Sequence, residues 1–386
     1  MTCVERIYLD HNATTPIDPR VLEAMLGVLQ GGFGNPSSLH WFGQRARATI
    51  EDARGHVAGL VGAAASEIVF TGSGTESDNM ALRGLLAMAP EGRRKLVVAA
   101  IEHHAVIHTA KALAEAGAAV VSVRATSDGT VDLDELGERV DHETALVAVM
   151  LANNETGVLQ PIAEVVALAR ARGARVHCDA VQAAGKVPVD VRALDVDTLA
   201  LSAHKIYGPQ GVGALYVKRG ARMSALLRGG SQERNRRAGT ENVAGIAGFG
   251  RAAQLAQAEL ASEAARQAVL RDRLEVLLLQ LDGCRRNGDA ARVPNTTNLS
   301  FEGCEAESLL LALDLAGVAV STGAACAAGA VEPSHVLKGM GLGSGRVQSS
   351  LRFSLGHGTT EAEIDAAAHQ VGEAVARQRR MRALAT

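Results

Sequence analysis

Aromatic side chains are scarce in this 386-residue chain, at 3% with one tryptophan. Set beside 41 glycines and abundant alanine, that scarcity points to many tight turns and close backbone approaches. Cysteine is sparse and odd in number: Cys3, Cys178, Cys284, Cys304 and Cys326. No two are spaced as a Cys-x-x-Cys pair, which argues against a disulfide framework or a zinc ribbon, and a reducing cytoplasmic setting is expected. No apolar run reaches the ~18–20 residues of a membrane span. The start, Met1 to Arg6, lacks the basic and apolar regions of a secretory signal, so none is expected. Excess charge of one sign is lacking too: 39 Lys and Arg against 42 Asp and Glu leave a net −3, which argues against a nucleic-acid partner. What is present, 47% hydrophobic residues, excludes disorder as a whole-chain state, and the length implies two or three compact units.

Short apolar runs rich in branched residues recur through the first two-thirds: Glu67–Thr71, Lys95–Ile101, Ala118–Val123, Ala145–Leu151, Ala174–Asp179, Thr198–Ser202 and Val212–Val217. Each is apolar enough to be a strand buried on both faces. Helical patterns separate most of them, for example Ala105–Ala116 and Ile162–Arg172, the second behind Pro161. The alternation predicts an α/β sheet with helices on both faces. Residues 244–281 read as one long helix, and single strand-like pieces between helices follow (Asn298–Phe301, Val318–Val320, Leu351–Ser354). A smaller α+β domain is therefore expected beyond a boundary near residue 260.

Several segments could carry chemistry. Asp179 ends one predicted strand and Lys205 lies just past the next, and ligands of open α/β sheets gather at such strand ends. A carboxylate and an amine there suit pyridoxal phosphate, though a capping Asp and a surface Lys would read the same way. The run Phe70-Thr-Gly-Ser-Gly74-Thr75-Glu76 opens a helix expected over Asn79–Ala89; its N–H groups suit a phosphate, or simply a capped terminus. It is neither a nucleotide P-loop nor a dinucleotide fingerprint. His103 and His104 follow a strand, where one can stack on a planar group and the other be structural. Asn153-Asn154-Glu155 ends another strand as amide donors or an Asx turn. Cys326 sits among small residues, either a reachable thiol or a buried inert one. Arg352, central in an apolar strand, pairs a buried acid or binds a ligand acid. The basic loop Leu227–Thr240 is either solvated or a phosphate or subunit contact.

Together these segments resemble the cysteine desulfurases of the nitrogen-fixation and iron–sulfur-assembly type, within the class V aminotransferase-like pyridoxal-phosphate enzymes. The resemblance runs from Tyr8-Leu-Asp-His-Asn-Ala-Thr-Thr-Pro16 to Arg352-Phe-Ser-Leu-Gly356. Its pieces include Phe33-Gly-Asn-Pro-Ser-Ser38 with His40, Thr75-Glu-Ser-Asp78, Ala152-Asn-Asn-Glu-Thr-Gly157, His204-Lys-Ile-Tyr-Gly-Pro209, Arg237-Ala-Gly-Thr-Glu-Asn242 and Glu332-Pro-Ser-His-Val336. Their order and spacing along nearly the whole chain carry the resemblance.

The resemblance implies a fold-type I transferase: a large domain over residues 15–260 with a mainly parallel seven-stranded sheet flanked by helices. Residues 1–14 and 261–386 would form the small domain carrying the cysteine loop. It implies that Lys205 is the Schiff-base lysine, Asp179 the partner of the pyridine nitrogen, Gln182 the donor to the ring hydroxyl and His103 the imidazole on the ring. Gly74, Thr75, Ser202, Ala203 and His204 would line the phosphate, with Thr240 supplied by a second subunit. Asn154 and Arg352 would contact cofactor or substrate carboxylate. Cys326 would take the sulfur of L-cysteine as a persulfide while L-alanine leaves, and is a candidate transient iron–sulfur ligand; no resident metal is expected. A homodimer and an iron–sulfur scaffold protein as acceptor are implied, with selenocysteine lyase or a class V aminotransferase as alternatives. Two departures stand out: the loop reads Ser321-Thr-Gly-Ala-Ala-Cys326 where the family is serine-rich, and Ala203 replaces a glycine. The Arg-Arg-Ala-Gly-Thr-Glu-Asn wording is closer to the nitrogen-fixation branch.

Overall fold

The computed structural model describes residues 6–323 and 333–385. Its strands in chain order are β1 (Ile7–Tyr8), β2 (Ile68–Thr71), β3 (Lys95–Ala99), β4 (Ala119–Val123), β5 (Thr144–Ala148), β6 (Arg175–Asp179), β7 (Thr198–Ser202), β8 (Gly213–Val217), β9 (Cys284–Arg286), β10 (Thr296–Phe301), β11 (Val318–Ala319) and β12 (Ser350–Ser354). The helices that matter most here are α1 (Pro19–Gly31), α2 (Trp41–Leu60), α3 (Gly74–Ala87), α4 (His104–Glu115), α5 (Leu133–Arg139) and α6 (Ile162–Ala171). A 37-residue helix, Val243–Leu279, and a C-terminal helix, Glu361–Ala385, complete the frame.

Among the described residues the large sheet has seven strands in the order β2-β8-β7-β6-β5-β3-β4. The seven apolar runs of the sequence are these strands. Pairing is parallel from β7 through β4, whereas β8 runs antiparallel to both β2 and β7. Strands β2, β5, β7 and β8 are buried along their length, because helices cover both faces. Strand β4 departs from the expectation of two-faced burial. It is an edge strand, and Ala119 and Ser122 are exposed. Helix α3 also starts five residues earlier than its pattern predicts, at Gly74. Ser73 Oγ accepts from the Glu76 N–H and caps it, a contact worth about 1 kcal/mol.

Two faces of the sheet have separate apolar cores. One gathers α2, α6 and the start of the long helix, with Phe70 and Phe249 among its members. The other lies under α3 and α4, around Met80, Leu82, Leu85 and Val106. A third core belongs to the C-terminal part and to Leu9, built on the antiparallel sheet β12-β10-β9. The long helix joins the cores: Ile246, Phe249 and Ala253 enter the first, while Leu270, Leu274 and Leu278 enter the third. Its Gly250 meets α2 so closely that a Cβ would stand 2.5 Å from Ala53 Cα, a crossing that only glycine permits.

Residues 9–18 strap the two parts together. Leu9 donates to Ala319 O, His11 to Ser354 O, Thr15 to His204 O and Asp18 to Tyr207 O. The strap therefore passes directly beneath the turn after β7.

Candidate active site

Strands β6 and β7 are parallel neighbours, with Asp179 in register with Ala200, so both carboxyl ends open on one edge. Beyond β7 the chain makes a tight 3₁₀ turn, Ala203–Lys205, closed by Ile206 N–H on Ala203 O. That turn presents Lys205 over the end of β6. Lys205 Nζ donates to two main-chain carbonyls of the strap, Asn12 O at 2.5 Å and Ala13 O at 2.8 Å.

Asp179 is buried, and its Oδ1 accepts from the Val181 N–H at 2.9 Å. Burial pushes its pKa up to about 6, against the pull of that hydrogen bond and of the Lys205 charge. His103 caps α4: its Nδ1 accepts from the Ala105 N–H at 3.1 Å. Burial, aided by the Lys205 charge, lowers its pKa to about 4, so the ring is neutral at pH 7 and carries its proton on Nε2. One side-chain nitrogen or oxygen each from Asp78, His103 and Asp179 lies within 4.8 Å of the others.

The first turn of α3 closes the third side. At Gly74 a Cβ would stand 2.7 Å from Val181 Cγ2 and 3.5 Å from Ser202 Cβ, so glycine lets the helix terminus reach the strand ends. Thr75 follows at the second helical position, where main-chain N–H groups have no partner within the helix. Ser202 and Ala203 are buried beside it, and His204 Nδ1 lies 3.1 Å from Thr14 Oγ1.

Opposite this floor stands a second group of polar residues. Arg352 Nη2 pairs with Asp10 Oδ1 at 2.6 Å, and its Nη1 donates to Asn154 O at 2.8 Å. The sequence left open whether Arg352 holds an acid of the chain or of a ligand. The structure shows it holding Asp10 while its Nε, like Asn154 Oδ1, is buried without a partner. Gln182 donates to Asn12 O at 2.9 Å and accepts from Lys186 Nζ at 2.6 Å.

The structure thus brings Lys205, Asp179, His103, Gly74, Thr75, Ser202, Ala203, His204 and Gln182 to one edge, with Asn154 and Arg352 facing them. Thr240 sits exposed on the loop before the long helix. Cys326 lies outside the described residues. Of the segments on either side of it, Ser321 bridges to Arg352 and Ser334 Oγ donates to the buried Glu155 carboxylate. Sequence reasoning missed Asn12, which meets Lys205, Gln182, Lys186, Thr296 and Asn295, as well as Asp78 and His177. Asn12 stands within the Tyr8–Pro16 segment but has no chemistry of its own to mark it. The alternation of β6 does mark His177, two residues before Asp179 and therefore on the same face. The loop Leu227–Thr240 is also less solvated than its charge suggests, since Glu233 is buried.

In chemical terms the site offers an amine, a buried carboxylate beneath it, a neutral imidazole, a helix terminus for an anion, and an unfilled donor–acceptor pair opposite. The class V aminotransferase family description matches residues 7–367. A cysteine desulfurase of Nostoc sp. (strain PCC 7120) is 48% identical over 375 residues, covering 97% of this chain and 94% of that protein. A solved structure of a NifS-like protein superposes with a TM-score of 0.91 at 38% identity, covering 96% of this chain and all of that one. A structure of SspA in complex with cysteine superposes with a TM-score of 0.80 at 32% identity, covering 90% and 98%.

Proposed function

The chain belongs to the class V aminotransferase family, and we propose that within it this enzyme is a cysteine desulfurase, converting L-cysteine to L-alanine and passing the sulfur to one of its own cysteines. The observation that carries the reading is the convergence of Lys205 and Asp179 at adjacent strand ends, beside the N-terminus of α3.

Pyridoxal phosphate is the proposed cofactor, and the residues fit it. The buried Asp179 suits a ring nitrogen that carries a proton, the glycine-lined terminus of α3 suits a phosphate, and Lys205 suits an aldehyde. Gly74, Thr75, Ser202, Ala203 and His204 would hold the phosphate with Thr240 of the partner subunit. Gln182 would face the ring hydroxyl and His103 the ring. When bound, the cofactor supplies an aldehyde for amines and a cationic ring that stabilises negative charge at the substrate α-carbon.

The chain's own groups supply the rest. Arg352 Nε and Asn154 Oδ1, the buried atoms without partners, orient the substrate carboxylate and amine. Lys205 Nζ is the base for the α-proton. His103 donates from Nε2, since Nδ1 is engaged by the helix it caps. Cys326 is the proposed sulfur acceptor: as thiolate it attacks the substrate sulfur, the substrate C–S bond breaks, and the product is alanine plus a persulfide.

Residues 15–260 are the proposed cofactor domain, with 1–14 and 261–386 as the small domain. A homodimer is proposed from exposed apolar residues on α1, on the segment after it and at the start of α2, where Leu29, Phe33 and Trp41 are 66%, 71% and 63% exposed. No helix of the described residues is long and apolar enough to cross a membrane. A cytoplasmic role, with an iron–sulfur scaffold protein as sulfur acceptor in cluster assembly or nitrogen fixation, completes the proposal.

The test is alanine and sulfide release from L-cysteine with pyridoxal phosphate present. Lys205→Ala is expected to abolish both while leaving the melting temperature within a few degrees. Cys326→Ala is expected to keep the cofactor's visible absorbance and release no sulfide. Full turnover by the Cys326 variant, or turnover indifferent to pyridoxal phosphate, would overturn the reading.

A further inference from the structure

Behind Asp179 lies a buried group that the reaction above does not use. Asp78, on α3, is 1% exposed, and His177 and Thr198 are fully buried. His177 Nε2 lies 3.1 Å from Asp78 Oδ1, and His177 Nδ1 lies 2.9 Å from Thr198 Oγ1. The 4.8 Å cluster of Asp78, His103 and Asp179 puts two carboxyl groups side by side out of water. Two such groups do not both ionise, because each charge raises the cost of the other, and they titrate as a unit. The titratable and charged groups around them are Glu102 and His103 after β3, His177 and Cys178 on β6, and Lys205 after β7. Burial raises Asp78 well above the usual carboxylate range, and repulsion by Asp179 and Glu102 adds to it. Burial also keeps His177 neutral, near 3.

We propose that Asp78 and Asp179 form a carboxyl pair sharing one proton, and that Asp78 keeps this proton when a cationic ring nitrogen sits on Asp179. The second half rests on the pyridoxal phosphate reading; the first does not. As the neutral acid, Asp78 donates its O–H to His177 Nε2. His177 then donates from Nδ1–H to Thr198 Oγ1, so three buried side chains are satisfied without net charge. Asp179 remains the single full negative charge beneath the ring. Asp78 is thus a positioning residue that sets the charge state of its neighbour.

Asp78→Asn is the isosteric test, because its amide N–H still donates to His177 Nε2 while the titrating proton is removed. Chelator is kept present to exclude metal ions. In the cofactor-free protein, a carboxyl whose folded pKa is raised binds its proton more tightly folded than unfolded. Wild-type stability therefore falls as pH climbs from the unfolded carboxyl range through the folded pKa. Asp78→Asn removes part of that loss: its melting temperature at about pH 8 is expected to exceed wild type by about 1–3 °C, with the gap closing toward about pH 5. Burial raises Glu102 and Glu155 as well, so in infrared spectra of the protein loaded with pyridoxal phosphate one protonated-carboxyl C=O band of wild type is expected to survive Glu102→Gln and Glu155→Gln and to be lost in Asp78→Asn. Matching spectra for wild type and Asp78→Asn overturn the pair, as does a variant less stable than wild type at pH 8. If pyridoxal phosphate fails to bind while the cofactor-free results hold, the cofactor reading falls and the pair stands.

Discussion

Two buried arginines of this molecule face opposite fates. Arg54, on α2, sends two nitrogens to the Glu233 carboxylate at 2.6 and 2.8 Å and a further bond to Ile68 O. Glu233 in turn accepts from the Phe70 N–H at 2.9 Å, and the guanidinium lies 4.8 Å from the Phe70 ring centroid. Arg352, equally buried, has one bond to Asp10, one to the Asn154 carbonyl, and a nitrogen left without a partner, as is the side-chain oxygen of Asn154. The first arrangement is closed and holds structure. The second is incomplete and keeps capacity for a ligand, because a buried polar atom without a partner is costly unless something else completes it.

The largest effect that would sharpen this contrast is at Glu233. It sits at φ 46, followed by Arg234 and Asn235 at φ 57 and 62, a left-handed run of non-glycine residues that the ion pair holds in place. Glu233→Gln leaves the buried Arg54 with half of its two-pronged partner and only the half-exposed Glu51, 3.2 Å from its Nε, as a charged one, and loosens that run. A loss of about 3–5 kcal/mol is expected in urea unfolding. Turnover per folded molecule with L-cysteine is expected to stay within about twofold, since Glu233 does not touch the site. A small stability change would mean that water reaches the pair, and the two arginines would then not differ in kind.

Arg352→Gln should reverse the balance. Losing a charged hydrogen bond to substrate is worth about 1.5–3 kcal/mol, or roughly 10–100-fold in kcat/KM, carried mainly by KM. The stability loss is expected to be smaller than at Glu233, because Asp10 keeps 18% side-chain exposure and water can solvate it. An unchanged KM for cysteine, with stability lost instead, would make Arg352 a second structural knot.

The same contrast governs what could be read from the sequence. The floor was legible because strand ends and helix starts follow local patterns: Asp179, Lys205 and Gly74 each sit where an apolar run stops or a helix opens. Whatever depends on the strap of residues 9–18 was not legible. Asn12 meets partners 142 to 342 positions away, and no local periodicity encodes such pairings. The Arg54–Glu233 knot hid for a similar reason. A run of charged residues reads as a solvated loop, and only the left-handed turn brings Glu233 inward. The edge position of β4 was likewise invisible, since Val120 and Val121 look as apolar as any inner strand while lying half-buried.

The smallest predicted effect tests the idea of held-open capacity most directly. Asn154 Oδ1 is buried with no partner, so the folded protein bears its desolvation without compensation. Its main-chain oxygen, which receives Arg352 and Asn12, survives substitution. Asn154→Ala should therefore leave stability unchanged or raise it by up to about 1 kcal/mol, the reverse of what removing a satisfied buried amide does. Catalysis should weaken, by about 5–10-fold in kcat/KM for cysteine, if that oxygen meets the substrate. Calorimetry and steady-state kinetics on one preparation would separate the two. A variant that loses both stability and activity would mean that the amide is bound within the fold, and that the open side of the cleft is narrower than the Arg352 and Asn154 atoms suggest.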